Sequence, residues 1–146
     1  MKRIICIAIA TLAVITLCSC SKDNKNAGDI NLLYGTWHVI NMKMELNGSK
    51  IEVDFDPSEQ KTMTFNKSGE VIEQDHDNIS YGIYTYNRNA RSLIIVTSKD
   101  DGEETQMFNV LKLDKNTMIL SGIHDDEFME GALVTITYKR IANSTL

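Results

Sequence analysis

From Leu33 onward the chain is a run of short β-branched and aromatic segments, each alternating in polarity and each ended by turn residues. Successive side chains of a strand point to opposite faces, so period-two alternation specifies strands with one buried face. Turn signals recurring at roughly eight to twelve residues are the spacing of an all-β sandwich or barrel. Eight strands are predicted: Thr36 to Leu46, Gln60 to Asn66, Glu70 to Gln74, Ile79 to Asn87, Ser92 to Ser98, Glu104 to Leu113, Thr117 to Gly122 and Ala132 to Ile141. Asn47-Gly48 and Asn66-Lys67-Ser68-Gly69 read as hairpin turns. The stretch containing Asp54, Asp56 and the lone Pro57 reads as the connection between the first two strands. Leu93 to Val96 is apolar on both faces, which predicts cover on both. No amphipathic helix of ten residues is visible, and Asp125 to Gly131 is compatible with one short turn at most.

The N-terminus obeys a different logic. Lys2 and Arg3 precede a weakly polar run from Ile4 to Leu17. As a helix this run would cover roughly 21 Å, short of the roughly 30 Å bilayer core. A charged start, a short apolar stretch and small residues at its end predict a cleaved signal peptide over 1–19. Leu17-Cys18-Ser19-Cys20 resembles the lipobox of bacterial lipoproteins. That resemblance implies a diacylglycerol thioether on Cys20 after cleavage between Ser19 and Cys20, since only a thiol serves as acceptor. Cys6 and Cys18 leave with the peptide, so Cys20 is the sole mature cysteine and no intramolecular disulfide is available. Residues 20–30 form the lipidated N-terminus and a polar tether. Lys22-Asp23 resembles a short charged export signal of some Gram-negative lipoproteins. The expectation is a bacterial outer membrane location through the lipid, on the periplasmic or the exposed face.

Loss of Lys2 and Arg3 leaves 13 basic against 20 acidic residues, a formal charge of −7. An acidic chain without a basic patch argues against nucleic-acid binding. Residues 31–146 suffice for one domain.

Gly35-Thr36-Trp37 opens the first strand, and Thr137-Tyr138-Lys139-Arg140 closes the last. These groups resemble the lipocalin and calycin pattern, an eight-stranded antiparallel up-and-down β-barrel. There the first-strand indole sits at the closed end, and a basic residue of the final strand packs across it. The resemblance implies that Trp37 and Arg140 form such a barrel-closing pair; a β-sandwich is the alternative fold. Leu33 to Trp37, Met63 to Gly69 and Gly82 to Asn87 also resemble short lipocalin-like domains of anchored lipoproteins. Trp37 lies on the opposite alternation phase from Ile40, Met42 and Met44, and a bulge near Val39 would reconcile them, because one extra residue inverts all that follows.

No catalytic constellation emerges. There is no Gly-x-Ser-x-Gly elbow, and His38, His76 and His124 lack the His-x-x-x-His spacing of a metal helix. His38, on one face with Ile40, suits a packing or rim role. The acidic stretches at Asp54 and Asp56, at Asp75-His76-Asp77-Asn78 and at His124-Asp125-Asp126-Glu127 lack the ligand series of a calcium loop and read as solvated. No metal, cofactor or enzymatic activity is expected. What remains is a binding role: Met42, Met44, Met63, Phe65, Tyr84, Tyr86, Phe108, Met118 and Leu120 are candidates to line a cavity for a small hydrophobic ligand. The alternative is a filled barrel whose loops contact an envelope protein or a glycan.

Overall fold

The computed structural model describes residues 29–99, 102–124 and 130–141. The signal peptide, Cys20 and the tether up to residue 28 lie outside the described residues. So do the centre of the loop expected at 98–102 and most of the turn expected over 125–131.

After a single 3-10 turn at Ile30–Leu32, capped by the Asp29 side chain on the Asn31 amide, the chain enters nine antiparallel strands. These are β1 (Gly35–Leu46), β2 (Ser49–Asp54), β3 (Lys61–Phe65), β4 (Glu70–Asp75), β5 (Asn78–Asn87), β6 (Ser92–Lys99), β7 (Gly102–Leu113), β8 (Thr117–His124) and β9 (Ala132–Arg140). From β3 to β9 each strand pairs with the next, and β9 returns to β1 from Trp37↔Arg140 to Glu45↔Leu133. The result is a closed eight-stranded up-and-down barrel with β2 as an additional strand. It is not a β-sandwich.

The ninth strand corrects the expectation of a plain connection before the second strand. Asn47 and Gly48 both have positive φ, 51° and 80°, the geometry of a two-residue hairpin turn that returns the chain along β1. β2 then pairs with Asn41–Leu46, while β3 pairs with Gly35–His38 of the same edge. The two lie end to end. The six residues between them loop out, held by His38 Nε2 donating to the Glu59 carbonyl at 2.6 Å and by an Asp56 turn onto Ser58.

Two bulges set which side chains face inward. On β1 the register against β9 slips between Val39 and Asn41, so Trp37 and Val39 share the inner face with Met42 and Met44. On β7 a second slip between Val110 and Lys112 turns Leu111 outward, 54% exposed, and returns Leu113 to the core. Without that extra residue Leu113 would face water.

The core gathers at the Trp37 end, where Leu33, Trp37, Phe65, Val71, Leu93, Val110, Leu113 and Met118 are all buried. The expectation of cover on both faces of the fifth predicted strand does not hold. On β6, Leu93 and Ile95 are buried, but Ile94 is exposed on an outer face that no described element covers.

Candidate functional site: the mouth opposite the Trp37 plug

The two ends of the barrel are built differently. At the closed end the Trp37 indole Nε1 donates to the Leu33 carbonyl at 2.8 Å, and the Arg140 guanidinium stacks 4.0 Å from the indole centroid. Arg140 also donates to the Leu32, Tyr34 and Lys115 carbonyls, knitting the entering segment and the β7–β8 turn to the end of β9. Its burial draws the guanidinium pKa below the usual value. Gly35 is required beneath it. Its φ is +116°, and a Cβ there would lie 2.8 Å from Arg140 Nη1. The Gly-x-Trp spacing thus has a local cause: the residue two before the indole must leave room for the cation stacked on it.

The residues proposed from sequence to line a cavity separate into three groups. Met63, Phe65, Met118 and Leu120 are buried within the core. Tyr84, Tyr86 and Phe108 pack against that core from partly buried positions. The Phe65 and Tyr84 rings meet edge to face at 5.0 Å, the Tyr84 hydroxyl donates to the Asn66 carbonyl, and burial raises the pKa of both tyrosines. Only Met42 and Met44 stand at the opposite end, half-buried, across from Ile136 and Val134 of β9.

Around them the inner wall changes character. The inward positions of β5, β6, β8 and β9 carry small residues, namely Ser80 and Gly82, Thr97, Gly122, and Ala132 and Val134. The remainder are polar, with Glu73 facing in from β4 and Glu104 and Gln106 from β7. Glu73, Ser80, Gly82, Glu104, Gln106 and Ile136 all keep partial exposure while facing inward. The inner wall at this end is therefore small and polar and in part exposed, whereas the Trp37 end is filled by large apolar side chains. Deeper in, burial drives the Tyr138 phenol well above its ordinary pKa, and the Glu73 charge adds to the shift.

No family model matches this chain, and no curated protein matches it. The reading of the site thus stands on its geometry.

Sequence reasoning missed the polar inner residues because it followed apolar side chains only. Register would have found them: Glu73 alternates with Val71, Thr97 with Leu93 and Ile95, and Gln106 and Glu104 with Phe108. Two hollows are described, about 270 Å³ bordered by Lys43, Met44, Ile51, Glu52 and Leu133 along β1, β2 and β9, and about 300 Å³ bordered by Leu32, Asp114, Lys115 and Asn116. Among the described residues no three His, Cys, Asp or Glu side chains converge as metal ligands.

Thr97 is the anomaly of this wall. It is fully buried, yet its hydroxyl has no hydrogen-bond partner among the described residues. A buried hydroxyl without a partner is destabilising by roughly 1 kcal/mol or more. Thr97→Val keeps the shape and removes the hydroxyl. It is expected to gain about 1 kcal/mol in urea unfolding, and a loss of that size would show that the hydroxyl is satisfied.

Proposed function

We propose that this chain is a lipid-anchored, lipocalin-like binding protein of a bacterial outer membrane, which takes a small hydrophobic ligand at the barrel mouth. The observation carrying this reading is the asymmetry of the barrel interior. One end is plugged by Trp37 and Arg140, and the other is walled by small residues and by the flexible Met42 and Met44, with inward side chains still open to solvent. Methionine adapts its shape to irregular partners, which suits an adjustable apolar lip. The lip is extended by the β1–β2 hairpin, where Ile51 and Val53 pair with Met44 and Met42 on the inner face and are 55% and 39% exposed. The lipobox-like Leu17 to Cys20 supports the anchor, and a tether of about ten residues at up to roughly 3.5 Å each would hold the domain within roughly 35 Å of the lipid surface. The test is native mass spectrometry of the chain from Ser21, purified from cells. A retained small molecule, released on unfolding, is the expected result, and a bare protein mass from every preparation would sink the reading.

A second reading, an interaction module contacting an envelope protein, is favoured by one observation. Tyr81, Ile83, Ile94, Met107, Ile123 and Leu133 are exposed by 37% to 67% on the outer wall from β5 to β9. An apolar surface of this kind is characteristic of contact sites. A crosslinked protein partner lost on Ile83→Lys would support it.

A further inference from the structure

Closing the barrel between β1 and β9 leaves one strand edge unused, that of β2. We infer that two copies of this chain pair through that edge, β2 against β2, antiparallel and centred on Ile51, so that Lys50 of each faces Glu52 of the other. Such pairing does not depend on what the mouth holds.

Among the described strands β2 is hydrogen-bonded to β1 alone, and all six of its residues are exposed. The Phe55 amide donates to the Ile40 carbonyl at the end of this pairing, and backbone groups alternate in direction along a strand. Ser49, Ile51 and Val53 therefore turn their N–H and C=O groups to β1, and Lys50, Glu52 and Asp54 turn theirs to the free edge. Strand edges are ordinarily blunted by proline, a bulge or a covering element. β2 contains no proline, its register with β1 is unbroken from Asn41↔Asp54 to Leu46↔Ser49, and its exposure leaves no described element over it.

The side chains of this edge fit a second copy. About a two-fold axis at Ile51, Lys50 meets the partner's Glu52 and Glu52 meets the partner's Lys50, each pair bringing free backbone groups face to face. Within the chain Lys43 already pairs with Glu52 at 3.0 Å and Glu45 with Lys50 at 3.2 Å. Joining two copies extends each pair into a row of alternating sign: Lys43, Glu52, the partner's Lys50 and the partner's Glu45. These side chains are 48% to 74% exposed, and a carboxylate or an ammonium has bonding capacity for a second contact. On the opposite face Ile51, 55% exposed, meets the partner's Ile51 and is covered. Other axes fit worse. An axis at Lys50 or at Glu52 sets like charges directly opposite, and one at Val53 sets Glu52 against Asp54, all destabilising.

A ladder this short makes an interface below the roughly 1,200 Å² of stable complexes, so the dimer is weak. The test is sedimentation velocity of the chain from Ser21. It keeps every described strand pairing and the whole core, and it contains none of the three cysteines, so no disulfide can join copies. A dimer is expected at about 200 µM that dissociates on dilution to about 2 µM. Lys50→Glu and Glu52→Lys should each raise the dimer Kd about tenfold, because both facing pairs become like-charged. An equal mixture of the two variants should recover a dimer within about threefold of the original Kd, since every facing pair is again of opposite sign. Mixing repairs only contacts between chains, which separates the interface from any loosening of the β1–β2 hairpin. A native chain that stays monomeric at about 200 µM gives the edge to another protein or another segment and overturns the inference. So does a dimer that either substitution leaves intact, or a mixture that stays monomeric.

Discussion

Trp37→Ala is expected to lower the unfolding free energy by about 4 kcal/mol, the largest loss of any single truncation in this barrel. The indole is fully buried, its Nε1 hydrogen bond to Leu33 ties the entering segment to β1, and the Arg140 guanidinium rests on its face. Alanine leaves a cavity and strips the cation of its aromatic partner, so two costs add. Domains of this size hold roughly 5 to 15 kcal/mol, which would leave the variant marginal at 25 °C. Urea unfolding followed by circular dichroism should show a large fall in midpoint at unchanged m value. Arg140→Met retains an apolar cover for the indole but abandons three backbone carbonyls. It is expected to cost about 2 kcal/mol, and the double variant should lose less than the sum, by about 1 kcal/mol, because the two side chains act on each other. A Trp37→Ala loss below about 1.5 kcal/mol would mean that the barrel end is not a plug.

The plug also marks how far the fold could be read from the residues. Eight strands were legible because turn chemistry interrupts them: Asn-Gly, Ser-Gly and Asp-x-Asn segments sit where the backbone turns, and Asn47, Gly48 and Gly69 do adopt positive φ. The β1 bulge was legible for a different reason, since Trp37 and Met42 cannot both face inward without an extra residue between them. β2 was not legible. All six of its residues are exposed, and its alternation of Lys50, Glu52 and Asp54 with Ile51 and Val53 produces no buried face to distinguish it from a loop. It exists because the hairpin turn delivers it to a free edge of β1, and its outer face is tied by Lys43 to Glu52 and Lys50 to Glu45. The β7 bulge left no phase conflict in a segment rich in apolar residues. The mouth was the least visible part, because its wall is made of Ser, Gly, Thr and Glu, residue types that read as surface until strand register assigns them inward.

Gly82→Ala tests that wall directly and is expected to cost about 3 kcal/mol. Nothing in the backbone conformation demands glycine there, because its φ is not in the left-handed region. The demand is steric. A Cβ would sit 2.2 Å from the Val96 carbonyl oxygen and 2.9 Å from Thr97 Cα, both backbone atoms of the adjoining strand. A flexible side chain could swing away, but a paired strand cannot, so β5 and β6 must part locally and lose ladder hydrogen bonds. Gly122 has the same character more mildly, at 2.7 Å from the Met107 carbonyl oxygen and 3.0 Å from the Phe108 ring. Glycine inside a strand marks a tight bend or a close backbone approach, and here the two glycines, on β5 and β8, are both places where the neighbouring strand's backbone comes close. Gly69→Ala is the control, since its Cβ would meet nothing within 4 Å and only its φ of +90° opposes the change, for an expected cost of about 1 kcal/mol. Hydrogen exchange should then show Gly82→Ala loosening the amides of β5 and β6 around Thr97 while the Trp37 end stays protected. Uniform loosening of the whole barrel would instead mean that plug and mouth open as one unit, and the division of labour between the two ends would be lost.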